Sequence, residues 1–239
     1  MKKIAFVILS MLAMAAFTSC EIDNYDGPDV MLKGTLVYNG TQINVKNNQV
    51  TIRLYEDGWE LTESTYINVP VAQDGTFSAH IFKGKNYRLE RQNNAGPWED
   101  PTSSDVIALT NYQGAPVTME VKPYFLFDKA SISFAGGVIT GTFNVKEVTP
   151  TPGKRIQKVG LYVSRNIICD NVNSGLGSKE TTAVTIGQDG SVSVDLNGKE
   201  VNSTYNSIPQ TGFVYARLGF QVAGYTNMIY SEPVKVTVR

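Results

Sequence analysis

Long stretches of this chain repeat their apolar side chains at every second position, and that period constrains the fold more than any other feature. Val50, Ile52 and Leu54 alternate with Thr51, Arg53 and Tyr55, and Val214, Ala216, Leu218, Phe220 and Val222 alternate with Tyr215, Arg217, Gly219 and Gln221. Successive side chains of an extended strand point to opposite faces, so this pattern buries one face and wets the other. A helix would need its apolar residues three and four apart, and no convincing run of that kind interrupts the first half of the chain.

Turn signals cut the pattern into short pieces. Asn39-Gly40 is a hairpin dipeptide, Asp74-Gly75 and Asp189-Gly190 separate further strands, and Thr149-Pro150-Thr151-Pro152-Gly153 is a Pro-rich loop. Extended runs are expected at Leu32–Tyr38, Val50–Tyr55, Tyr66–Val71, Thr76–Phe82, Tyr87–Leu89, Val106–Leu109 and Val117–Val121. After Pro123 the series resumes with Phe125–Phe134, Val138–Val145, Ile156–Ser164, Ala183–Ile186, Val192–Leu196, Val214–Val222 and Ile229–Val238. Many short strands at this spacing predict an all-β chain of two β-sandwich domains in tandem. The boundaries fall at 30–122 for the first and 123–239 for the second, and the connection at Val121-Lys122-Pro123-Tyr124 is very short.

What precedes residue 30 has a different character. Lys2 and Lys3 are followed by an apolar run from Ile4 to Phe17 and by small residues leading to Cys20. This is the layout of a secretory signal over residues 1–19, and the run is short for a membrane span, which needs about 20 apolar residues. Phe17-Thr18-Ser19-Cys20 resembles a bacterial lipobox, with Phe where Leu is commoner. The resemblance implies lipidation of Cys20, cleavage before it and anchoring to a membrane. Two or more acyl chains hold a protein on a bilayer stably. Residues 20–29 carry four acids and no base, a solvated tether. An acidic run behind the lipidated cysteine also resembles the surface-export signal of Bacteroidetes lipoproteins. The expected location is therefore the outer membrane, on the cell surface. Asp23, Asp26 and Asp29 lack the closing bidentate Glu of an EF-hand loop, so no metal is expected there.

Without the leader's two lysines, 19 basic residues face 22 acidic ones. That balance, with no basic patch, excludes nucleic acid as the expected partner. Once Cys20 is lipidated, Cys169 is the only thiol left, so no internal disulfide forms. In Ile167-Ile168-Cys169-Asp170 it reads as a small buried hydrophobe.

The order of pieces in the first domain carries a family resemblance. Val50-Thr51-Ile52-Arg53-Leu54, then Asp74-Gly75-Thr76-Phe77, then Gly84-Lys85-Asn86-Tyr87-Arg88-Leu89 resembles the carboxypeptidase-regulatory, transthyretin-like sandwich. At the other end, Tyr230-Ser231-Glu232-Pro233-Val234-Lys235-Val236-Thr237-Val238 resembles the last strand of a fibronectin type III or related immunoglobulin-like sandwich. The tyrosine-corner position there holds Phe213, which has no hydroxyl. Arg53-Leu54-Tyr55-Glu56-Asp57-Gly58-Trp59 and Gly96-Pro97-Trp98 are similar to a family of Bacteroidetes lipoproteins with a transthyretin-like domain first and an immunoglobulin-like domain second. That family is encoded beside outer-membrane glycan importers of the starch-utilisation type. The resemblance implies a glycan ligand and importer subunits as partners.

Catalytic signatures are lacking. His80 is the sole histidine, on an expected strand face, and no nucleophile elbow, zinc motif or phosphate loop occurs. Glu56, Asp57, Glu60, Glu63, Glu99 and Asp100 could pair as glycosidase carboxylates only at a fixed separation inside a cleft. Lys33 has no ordered partners for an isopeptide bond. No enzyme activity and no cofactor are expected.

Binding is the better reading. Trp98 lies in a polar, Gly- and Pro-rich loop with Asn93, Asn94, Glu99 and Asp100, and Trp59 follows a strand that ends at Tyr55 and Glu56. Sugars are held by flat aromatic rings beside planar polar groups. These residues are the expected ligand site, with packing of either tryptophan in the core as the competing reading. The alternative function is a scaffold or adhesin module that docks an importer subunit or another surface partner.

Overall fold

The computed structural model describes residues 26–59 and 65–238. The leader, Cys20 and the start of the tether lie outside the described residues, as do Glu60 and Glu63. The chain is all-β in two tandem sandwiches, and a single 3-10 turn at Ser103–Asp105 is the one helical element among the described residues.

The first sandwich contains β1 (Val30–Tyr38), β2 (Thr41–Gln42), β3 (Thr51–Glu56), β4 (Ile67–Pro70), β5 (Thr76–Ile81), β6 (Tyr87–Arg91), β7 (Ile107–Leu109) and β8 (Val117–Glu120). One sheet is built around β1, which pairs antiparallel with β2 and β5 and parallel with β8. The other runs β4-β3-β6-β7, all antiparallel. Leu32, Leu36 and Phe77 from the first sheet meet Ile52, Leu54 and Leu89 from the second in a dry core. The turn between β1 and β2 uses positive φ at both Asn39 and Gly40, the conformation whose twist matches antiparallel strands.

The second sandwich contains β9 (Phe125–Ala135), β10 (Val138–Glu147), β11 (Ile156–Ser164), β12 (Gly177–Thr181), β13 (Asp189–Asp195), β14 (Phe213–Val222), β15 (Met228–Tyr230) and β16 (Val234–Thr237). A three-stranded sheet β13-β10-β9 packs on a sheet β12-β11-β14, whose far edge is filled by β15 and then β16. The last strand is split because it carries one residue more than β14 across Ser231–Pro233. Ala216 pairs with Val234 but Gly219 pairs with Tyr230. Pro233 has no amide hydrogen for the ladder, so the extra residue falls where pairing is interrupted anyway.

One expected strand is displaced. Ala183–Ile186 is irregular, and the strand beside β11 is Gly177–Thr181. Gly-Ser-Lys-Glu-Thr is half-buried or exposed at every position. An edge strand held by backbone pairing and by polar ties, here Glu180 accepting from Lys158 and Tyr162, leaves no apolar alternation to read. The expected Asp189-Gly190 turn also moves: it lies two residues earlier, around Gly187 at φ 76°, and Asp189 opens β13.

Buried side chains of the two sandwiches form one continuous cluster. The connection is pinned along its length. Val121 donates its amide to the Val37 carbonyl, Lys122 accepts from the Glu99 amide, and Tyr124 donates to the Pro97 carbonyl. Elsewhere Tyr230 donates to the Asn44 carbonyl at 3.0 Å, and Asn227 donates its side-chain amide to the Ala95 carbonyl at 2.6 Å.

Candidate functional site

Trp98, expected to face a ligand, packs inside the protein instead. Trp98 is 1 % exposed and belongs to the core cluster, so its ring cannot stack on a sugar. The Gly96-Pro97-Trp98 stretch explains itself sterically. A side chain at Gly96 would collide with the six-membered ring of the Trp98 indole, so only glycine lets the loop close over the ring. Trp98 also forms an isolated antiparallel bridge with Pro123. Carbonyls of Ala95 and Pro97 accept from the second sandwich, and the loop therefore plugs the domain junction.

Other expected residues scatter. Tyr55 is buried at 3 %, its ring 5.6 Å from Tyr66 and 4.2 Å beneath the Arg88 guanidinium. It is a packed spacer and not an open platform. Glu99 faces Lys122 at 3.9 Å, and Asp100 accepts from the Asn94 amide at 2.6 Å. Asn93 and Asn94 are exposed, and Asn94 holds a positive φ of 55°. Trp59 alone among the aromatic candidates is open to solvent, at 56 %.

Asn93 does border a cleft, one that the sequence pattern does not announce. An open depression of about 460 Å3 lies between the outward face of β3 and β6 and the 3-10 turn at Ser103–Asp105. Its lining includes Arg53, Glu90, Arg91, Gln92, Asn93 and Asp105. The strand register builds its wall. Arg53 sits opposite Glu90, and Tyr55 opposite Arg88, so these four share the outward face in cross-strand pairs.

Charge pairing on that wall is skewed. Glu90 accepts from the Arg88 Nε at 2.7 Å and does not close on Arg53. The Arg53 guanidinium instead lies over the Tyr66 ring at 4.5 Å and reaches the Gln92 Oε1 at 3.5 Å. Gln92 is oriented by donating to the Thr51 hydroxyl at 2.7 Å. Arg91 belongs to the inward-facing set of β6 and emerges at the cleft floor only 8 % exposed. It donates to the Glu99 carbonyl at 3.2 Å and stands 3.6 Å from Asp105. Burial lowers the pKa of Arg91, and the Asp105 charge opposes that shift. Asp105 is held below the ordinary carboxylate range, chiefly by the Thr102 amide, which donates to it at 2.7 Å.

His80 is exposed on β5, and Cys169 is fully buried with its thiol against the Tyr162 carbonyl at 3.2 Å. Among the described residues, no three His, Cys, Asp or Glu side chains group as a metal would require.

Two β-sandwiches in tandem, sharing one core and opening a polar cleft on the first, define the class of molecule. Residues 30–122 match the N-terminal domain of a protein of unknown function, DUF3823, and residues 125–235 match the domain of unknown function DUF3823_C. The chain belongs to the DUF3823 family. A DUF3823 family protein from Parabacteroides merdae ATCC 43184 is 31 % identical, with a TM-score of 0.73 over 88 % of this chain and all of its own. A second, from Bacteroides ovatus ATCC 8483, is 27 % identical with a TM-score of 0.69 over the same shares. A third structure, a "putative carbohydrate binding protein" from Bacteroides uniformis ATCC 8492, shares the fold at 16 % identity and a TM-score of 0.65, again over 88 % and 100 %. None of these descriptions names a catalytic activity. No curated protein matches the chain.

Proposed function

We propose that this chain is a non-catalytic lipoprotein, anchored through Cys20 on the outer face of the outer membrane, that binds a carbohydrate for a neighbouring glycan importer. One observation carries the binding part: an open cleft of about 460 Å3 walled by guanidinium, carboxylate and amide groups on a rigid sheet. Its size is within the range of about 300–1,000 Å3 usual for small-molecule sites. Planar polar side chains fixed by cross-strand neighbours suit the fixed geometry of sugar hydroxyls. The Bacteroides uniformis structure of the same fold lends support through its description. The anchor and the surface location rest on the leader, the cysteine and the acidic tether of the sequence.

The test has two parts. The chain from residue 21 onward contains every contact described above. Run through polysaccharide-loaded native gels and a glycan array, it is expected to be retarded by at least one glycan. Retention by none would refute the carbohydrate reading. Cys20→Ala in the full chain is expected to move the protein from the membrane to the soluble fraction, and retention in the membrane would refute the anchor.

A second reading has its own observation. Trp59 is 56 % exposed where the chain leaves β3. An exposed tryptophan is a characteristic anchor of protein interfaces. In that reading the first sandwich docks an importer subunit, and Trp59→Ala abolishes co-purification with it while glycan binding persists.

A further inference from the structure

We propose that the cleft recognises an acidic sugar, through a carboxylate seated on Arg53. The inference rests on the carbohydrate reading and narrows it to uronate-bearing glycans.

Register supplies the first argument. Arg53 faces Glu90 directly across β3 and β6, the position from which an acid ordinarily closes on a base. Glu90 is instead engaged by the Arg88 Nε at 2.7 Å. Among the described residues no carboxylate comes within ion-pair distance of Arg53, and its nearest acceptor is the neutral Gln92 at 3.5 Å. Arg53 is thus a half-buried cation lining the cleft with no acid partner among the described residues.

Preorganisation supplies the second. The Tyr66 ring at 4.5 Å fixes the plane of the guanidinium. Gln92 is tied to Thr51 at 2.7 Å and bounds its edge. The Arg53 Nε is buried without a hydrogen bond, so the two terminal nitrogens form its outward edge. A planar guanidinium held in this way matches a carboxylate bidentately, and little side-chain entropy remains to be lost.

The rest of the cleft supplies the third. Arg91 lies at its floor with its own acid, Asp105, at 3.6 Å, so that pair is balanced and Arg53 remains the cation without a partner among the described residues. Asp105 is already occupied in accepting from the amide and hydroxyl of Thr102, at 2.7 and 2.8 Å. Asn93, Thr102 and Ser103 line the same rim. Asn93 and Ser103 offer an amide and a hydroxyl to the ring hydroxyls of a sugar whose carboxylate sits on Arg53, while the Thr102 hydroxyl is taken up by Asp105 and Ser104. A neutral sugar would leave the guanidinium unanswered. A simple inorganic anion would leave the polar rim unused.

Calorimetric titration of the chain from residue 21 onward tests this with matched probes: oligogalacturonate and oligoalginate, each beside its methyl ester, and neutral maltohexaose. The free acids are expected to bind, the methyl esters to bind about ten- to hundredfold more weakly, the loss that goes with one hydrogen bond to a charged group. Arg53→Gln is expected to weaken the free acids by the same factor at unchanged melting temperature, and Arg53→Lys to recover part of it. Equal binding of acid and ester by the unmutated chain overturns the proposal whether or not the variants fold. Binding of maltohexaose alone also overturns it and leaves the carbohydrate reading standing, whereas binding of no glycan here or on the array overturns both.

Discussion

The guanidinium of Arg217, on β14 of the second sandwich, donates to the backbone carbonyl of Gln73, in the β4–β5 loop of the first, at 2.7 Å. Arg217 is fully buried and no acid among the described residues pairs with it; it is satisfied by carbonyls, including Ser231 at 2.7 Å, and by the Tyr230 ring at 4.5 Å. Burial pushes its pKa down to about 10, so placing the charge there opposes folding at neutral pH. The hydrogen bonds offset that cost, and they join the sandwiches.

Arg217→Met is therefore expected to do more than lower stability. It strands the Gln73 and Ser231 carbonyls while relieving the buried charge, for a net loss of about 1–3 kcal/mol. The single calorimetric transition that one continuous core predicts should also split into two. A single transition at a lower temperature would show that the apolar contacts alone couple the domains.

The two tryptophans should separate cleanly. Trp98→Ala empties a core site and is expected to cost about 3–5 kcal/mol, whereas Trp59→Ala is expected to stay within about 0.5 kcal/mol. Urea melts measure both. Iodide should quench Trp59 fluorescence and leave Trp98 untouched, because iodide does not enter a dry core.

Gly96→Ala isolates the close approach behind Trp98. The backbone at Gly96 is not in the left-handed region. Any loss is then steric, about 1–3 kcal/mol as for other overpacked sites. Pairing it with Trp98→Leu should recover part of the loss, and a purely additive double variant would count against direct contact.

Alkaline pH should unfold the chain. Burial raises the pKa of Tyr87, Tyr112, Tyr124, Tyr162 and Tyr230 above the ordinary value. A raised phenol keeps its proton in the fold while the unfolded chain releases it. The stability this represents is complete below about pH 10 and lost as pH rises further. Arg217 and Arg91 have the opposite sign over the same range, since their folded pKa values lie below the unfolded ones, but they are two groups against five. Absorbance at 295 nm should show these five phenolates appearing together with loss of structure. Cys169, pushed up to about 12 by burial, should resist thiol reagents at pH 8 until denaturant is added.

Period-two runs in the sequence locate most strands because those strands have one dry face. Ile52 and Leu54 on β3, and Val214 to Val222 on β14, are legible for that reason. Gly177–Thr181 is illegible because both its faces are wet. Trp98 misled in the opposite direction. Its Gly, Pro, Asn and acidic neighbours are those of an exposed loop, and only tertiary packing into the shared core makes the indole a core residue. Of the expected site, Asn93 alone borders the cleft that the structure opens. By pattern Arg53 is an ordinary outward residue of a strand, and Arg91 and Gln92 follow the expected strand Tyr87–Leu89, because a cleft between a sheet face and a distant turn has no local period.

The sequence by itself determined the class of fold, since alternation and turn chemistry are local and act within a few residues. It determined also that nothing in the chain carries a recognisable catalytic motif. Only the tertiary structure decided which polar residues converge. Glu90 turns to Arg88 and leaves Arg53 open, Arg217 crosses to Gln73, and Trp98 seals the junction. Those outcomes depend on register and on contacts between residues as many as 144 positions apart, where no short-range pattern reaches.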